Sequence, residues 1–74
     1  MPNHKSNPEK VFALLRKNKS KRLCDDCVAE LAEIKNRIAV NPITSAFGLT
    51  SDFLREKDAC SRCGKVKLVT QSAH

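Results

Sequence analysis

Cys24-Asp25-Asp26-Cys27 and Cys60-Ser61-Arg62-Cys63 contain all 4 cysteines of the chain, as two Cys-x-x-Cys pairs. The pattern reads as four thiolates for one tetrahedral zinc ion, which in structural sites is held by sulfur at about 2.3 Å. A two-residue spacer lets one turn of backbone aim both sulfurs at the same ion, and no cysteine is left over. Cys24, Cys27, Cys60 and Cys63 are therefore the expected metal ligands, and zinc the expected cofactor. A redox dithiol and disulfides are the other uses of such thiols. A redox pair usually follows a strand in an α/β pattern. Here Asp25 and Asp26 lie between two sulfurs and would raise a thiol pKa.

A chain of 74 residues makes one small domain. Chains this short bury too little apolar surface for a wide stability margin and often need a metal or disulfides. The core material is thin, with 3 Phe and neither Trp nor Tyr. Zinc binding contributes on the order of 10 kcal/mol to folding in small zinc-finger peptides. The expectation is a single zinc-binding domain over residues 1–74, unfolded or partly so without metal, with 1–6 and 71–74 disordered. The start MPNHKSNPEK lacks the apolar core of a signal peptide. No apolar run approaches the roughly 18 residues that span a bilayer. A cytoplasmic protein without a membrane partner is expected, and reduced thiols there favour metal over disulfide.

The formal charge is +6, from 14 Lys and Arg against 8 Asp and Glu. Four thiolates and a divalent ion together would lower this to about +4. A balance of that sign attracts nucleic acid; solubility alone is the plain alternative. His4 and His74 are conceivable ligands, but four cysteines already fill a tetrahedron.

Asn7-Pro8-Glu9 predicts a helix start, with Asn7 as cap and Pro8 in the first turn. Val11, Phe12, Leu14 and Leu15 recur at helical spacing as its buried stripe. Arg16 to Arg22 is the densest basic cluster, read as a phosphate contact or a solvated loop. A second helix is expected from the first cysteine pair, Asp25 and Asp26 favouring its N-terminus, a position that also lowers the pKa of nearby thiols. Its core residues would be Val28, Leu31, Ala32 and Ile34. After a turn at 35–37, Ile38, Ala39, Ile43, Ala46 and Phe47 form another apolar stripe, ending at Gly48. Pro42 inside that stripe implies a kink or a delayed start; the competing parse extends the second helix to Val40 and starts the third at Asn41-Pro42. Beyond Gly48, Phe53 to Arg55 and Val66 to Thr70 read as strands of a hairpin. Cys63-Gly64-Lys65 between them has the form of a zinc knuckle.

The expected fold is thus mostly α with a small β-hairpin: a winged helix-turn-helix, three helices plus a wing, stapled by a four-cysteine zinc site. A treble-clef or zinc-ribbon relative is the alternative. The stretches 23–29, 37–41, Arg55 and 60–69 resemble a group of short, mostly uncharacterised bacterial proteins that combine a winged-helix pattern with two CxxC pairs. The resemblance spans roughly residues 8–70, with the cysteine motifs as its specific part. It implies zinc at the four cysteines and a bacterial cytosolic setting, and no established activity.

Function is then expected to be DNA binding, regulatory and non-enzymatic. In a helix-turn-helix the second helix enters the major groove. Arg37, Asn41, Thr44 and Ser45 would read bases there, and Lys35 would contact phosphate. Arg55, Lys57, Arg62, Lys65 and Lys67 on the wing would hold the backbone, joined by Lys19, Lys21 and Arg22. The alternative is a zinc-stabilised protein-interaction adaptor using Leu49, Phe53 and Leu54, with a protein partner or a second copy. Four cysteines leave zinc no open position for catalysis, so no enzyme and no small-molecule substrate are expected.

Overall fold

A computed structural model describes residues 6–73. Its elements are helix α1 (Asn7–Lys17), strand β1 (Leu23–Cys24), helix α2 (Asp25–Leu31), one 3-10 turn (Arg37–Ala39), helix α3 (Val40–Phe47), and strands β2 (Phe53–Ala59) and β3 (Val66–Ser72). The strands form one antiparallel sheet in the order β1-β3-β2.

The sheet corrects the expected arrangement of three helices with a hairpin wing. Leu23 and Cys24 pair with Thr70 and Val69, so β3 is a central strand and not the outer arm of a wing. The first cysteine therefore sits in the sheet, and α2 begins after it. The described residues also form neither the paired hairpins of a zinc ribbon nor the knuckle-first order of a treble clef. Two residues are too few for an alternating pattern to show, which is why β1 leaves no trace in the sequence. The hairpin is longer than expected as well. β2 runs on to Ala59, and β3 extends through Gln71 and Ser72, paired with Leu54 and Phe53. The Ala73 N–H then donates to the Asp52 carbonyl at 2.8 Å. Residues 71–73 are thus tied down, where disorder was expected.

Ser6, not Asn7, caps α1. Its hydroxyl accepts from the Glu9 N–H at 3.3 Å, and the Glu9 carboxylate reaches back to Ser6, a reciprocal capping box. Val11 and Leu15 are fully buried, while Phe12 lies half exposed at the margin of the core. The core joins these two to Leu23, Cys24, Cys27, Val28, Ala29, Ile34, Val40, Phe53, Cys60 and Val69. All three phenylalanines form one cluster: Phe47 stacks on Phe53 at 4.7 Å, and Phe12 meets both edge-on. Ile38 and Ala46, expected in the core, are exposed, and so is much of Leu31.

The turn after α2 has a cause that the sequence hides. The Ile34 N–H donates to the Ala29 carbonyl at 2.8 Å and the Glu33 N–H to that of Glu30 at 3.2 Å. This is a Schellman closure with Glu33 at its left-handed position, φ 58°. Glycine usually fills that place, because a Cβ there is strained. We expect Glu33→Gly to stabilise the metal-loaded protein by about 0.5–1 kcal/mol after the entropy glycine adds to the unfolded chain. A urea midpoint that failed to rise would contradict this.

Asn36 caps the 3-10 turn, its side chain accepting from the Ile38 N–H at 3.1 Å. Pro42 is the third residue of α3, within the first turn, where the N–H it lacks has no intrahelical acceptor. Gly48 ends α3 for a spatial reason, since its backbone is right-handed. A Cβ at Gly48 would lie 2.8 Å from the Arg55 Cβ.

Candidate metal centre

The two cysteine pairs, far apart in sequence, meet at the junction of sheet and α2. Cys24 ends β1 and precedes α2, Cys27 lies in the first turns of α2, and Cys60 and Cys63 follow β2 in the turn toward β3. The four Sγ atoms all lie within 4.8 Å of one another. Cys24 and Cys63 are 3.8 Å apart and Cys27 and Cys60 3.6 Å apart, sulfur to sulfur. A regular tetrahedron with metal–sulfur bonds of about 2.3 Å has edges of about 3.75 Å. These two separations match that figure and are well beyond the roughly 2.05 Å of a disulfide. The residues present therefore fit a tetrahedral ion: the four cysteines could hold a metal. His4 and His74 lie outside the described residues.

The knuckle is built by backbone. Gly64 takes φ 78°, as expected for that position. Its N–H donates to the Cys60 carbonyl at 2.9 Å, and the Cys60 N–H donates to the Lys65 carbonyl at 2.9 Å. The N–H groups of Cys24 and Arg62 each point at Cys60 Sγ at 3.4 Å. The strand leading into Cys24 is laced to the knuckle in the same way. The Ser61 N–H donates to the Arg22 carbonyl at 2.7 Å, and the Arg22 N–H to the Ser61 hydroxyl at 3.0 Å.

These contacts divide the thiols. Burial tends to raise Cys60, but N–H donors from Cys63, Cys24 and Arg62 outweigh it and bring its pKa to about 6. Burial pushes Cys27 up to about 12 and also raises Cys24. At Cys24 burial outweighs the Cys27 N–H at the start of α2, which does act to lower it, as expected of a helix N-terminus. At neutral pH the metal must displace protons from at least Cys24 and Cys27. Acid restores those protons and opposes binding. Metal affinity should therefore fall about 100-fold or more from pH 8 to pH 7, two protons competing with each ion. Chelator competition at the two pH values measures this; an affinity independent of pH would contradict it.

The spacer residues organise the surroundings. Asp25 receives Thr44 Oγ1 at 2.7 Å, Asn41 Nδ2 at 3.2 Å, and Arg55 through both guanidinium nitrogens at 3.1 and 3.2 Å. Arg55 also donates to the Thr70 hydroxyl at 2.9 Å. One carboxylate beside the metal ligands thus ties α2 to α3 and to the sheet. Asp26 faces outward and pairs with Lys67 at 2.7 Å and Arg37 at 3.5 Å. The Lys67 ammonium, bonded to it, holds its carboxyl below the usual range. Nothing in residue type alone distinguishes Asp25 from Asp26; only the fold shows which one faces inward.

The residues expected to meet nucleic acid separate into three groups. Thr44, expected to read bases, is fully buried, and Arg55, expected on a wing, has its side chain 9% exposed against Asp25. Arg22, Arg37, Arg62 and Lys67 pair with Asp58, Asp26, Glu30 and Asp26, and Asn41 donates to Asp25. Lys19, Lys21, Lys35, Lys57 and Lys65 are exposed without an ion pair among the described residues, and Ser45 is exposed on α3. No helix of the described residues is long and apolar enough to cross a membrane. Compared with protein-family models, curated proteins and solved structures, the chain matches none.

Proposed function

We propose that the chain is a zinc-stabilised, non-enzymatic module that binds DNA through phosphate contacts. The observation that carries the zinc reading is the convergence of four sulfurs from two distant segments, all within 4.8 Å of one another. Four thiolates are a donor set for zinc or iron. With all four engaged, no position is open for a substrate or water. The role of the ion is then to hold β1, α2 and the hairpin together.

The DNA reading rests on charge left over after pairing. Five cations are matched to four carboxylates in the ion pairs. Lys17, Lys19 and Lys21 around the α1–β1 turn carry none among the described residues, nor do Lys35, Lys57 and Lys65. Burial of Thr44 and pairing of Arg37 leave α3 few groups for base edges, so backbone contact is the part this reading keeps. Affinity for a mixed-sequence duplex should fall steeply between about 50 and 200 mM salt. Fluorescence anisotropy of the zinc-loaded protein tests this; no binding at the lower salt would end the DNA reading.

An interaction adaptor is favoured by a different observation. Pro8, Glu9, Phe12 and Phe47 line an open, mostly apolar depression of about 370 Å³. Of the residues expected to form an adaptor surface, Leu49 and Leu54 are exposed, but Phe53 is buried in the core.

A further inference from the structure

A second cleft lies beside the knuckle, lined by Asn18, Lys21, Leu23, Leu31, Ser61 and Arg62, with a volume of about 270 Å³. It joins the basic turn after α1 to the spacer of the second cysteine pair, the two segments already laced together by the Arg22–Ser61 bonds. No carboxylate is among its lining residues. Lys21 brings an ammonium with no ion pair among the described residues. Arg62 gives one guanidinium nitrogen to Glu30 at 2.6 Å and also reaches the Cys27 sulfur; with five N–H donors in all, a guanidinium has others to offer. Ser61 accepts from the Arg22 N–H, which leaves its own hydroxyl proton to donate. Asn18 is held in place by its bond to the Leu14 carbonyl at 2.9 Å. The floor is apolar: Leu23 is buried and Leu31 is 41% exposed.

Three donors over an aliphatic floor suit an oxyanion carried on a less polar group. The volume falls below the roughly 300–1,000 Å³ of pockets for drug-sized ligands, and is in scale with one sugar-phosphate unit. We propose that this cleft is a phosphate subsite for the DNA backbone, with Lys21, Ser61 and Arg62 as its donors. The assignment rests on the DNA-binding reading and narrows it. Contact is placed at the α1–β1 turn and the knuckle, and not on α3. Because the knuckle forms one wall, metal binding also shapes this subsite.

The test uses the zinc-loaded full chain, labelled for NMR, with a mixed-sequence duplex and separately with inorganic phosphate. Amide shifts should concentrate at residues 18–22 and 61–62. Lys21→Ala should weaken duplex binding about fivefold and lower the salt slope by about one. Lys21→Glu should weaken it further, and Lys35→Ala less than either. Lys21 is exposed, and zinc content checks that each variant is folded. If the duplex binds but both Lys21 variants bind equally well, the subsite is wrong and the DNA reading survives. A duplex that does not bind at low salt overturns both. Inorganic phosphate that binds in the cleft without being displaced by DNA overturns the backbone as its source.

Discussion

Stripping the metal with a chelator at neutral pH is expected to abolish the cooperative thermal transition of the domain. The reason lies in where the ligands sit. Cys24, Cys27 and Cys60 belong to the buried core, each less than 5% exposed. Without an ion they place thiols in an interior that has few large apolar side chains to compensate. A 74-residue chain has a total stability of about 4–11 kcal/mol by the usual per-residue range. A structural zinc site is associated with about 10 kcal/mol or more of binding energy, so its loss rivals the whole margin. Cys60→Ser should act in the same direction. It removes the sulfur that receives two N–H donors and the link between β1 and the knuckle. Circular dichroism during heating, with and without chelator, makes the measurement. An apo protein melting within a few degrees of the loaded one would show that the cysteines are not the staple.

Asp25→Ala is expected to have the next largest effect, a loss of about 3–5 kcal/mol in the metal-loaded protein. Removing one partner of a buried ion pair leaves the other charge uncompensated. Here that charge is the Arg55 guanidinium, closed in against Thr70, with its aliphatic stem packed under Gly48. Thr44, fully buried, loses its strongest acceptor at the same time, although the carbonyls of Val40 and Asn41 remain in reach. Asp26→Ala is the control. Its pairs with Lys67 and Arg37 are solvent-exposed, and such pairs contribute about 0–1 kcal/mol. Urea denaturation at saturating metal should therefore separate two adjacent aspartates by several kcal/mol. Equal losses would mean that Asp25 is no hub. Asp25→Ala with Arg55→Met should recover part of the loss, since the stranded charge goes with its partner.

The two parts of this molecule were unequally legible in its sequence. Ligand spacing is a local chemical pattern, and the four cysteines do come together as their spacing implied. Gly64 is legible for a similar reason: a knuckle needs a left-handed residue there. What failed depends on tertiary partners. Leu23-Cys24 becomes a strand only because β3 lies beside it, and this changed a hairpin wing into a three-stranded sheet. Thr44 falls one turn after Val40, on the buried face of α3, but its polar side chain conceals this, and a carboxylate from α2 satisfies its hydroxyl there. Arg55 lies in a charged run that looks solvated, and its burial follows from Asp25 and from the missing side chain at Gly48. Glu33 carries no turn signal of its own, so the end of α2 was placed too late. Ile38 sits on an apolar stripe but on a 3-10 turn, whose tighter winding carries it away from the core.

X-ray absorption at the zinc edge, on the full chain loaded with one equivalent of zinc, reads the four-cysteine site itself. A first shell of four sulfur atoms at about 2.3 Å is expected. Nitrogen or oxygen in that shell, or zinc that will not bind while the cysteines remain reduced, would contradict it.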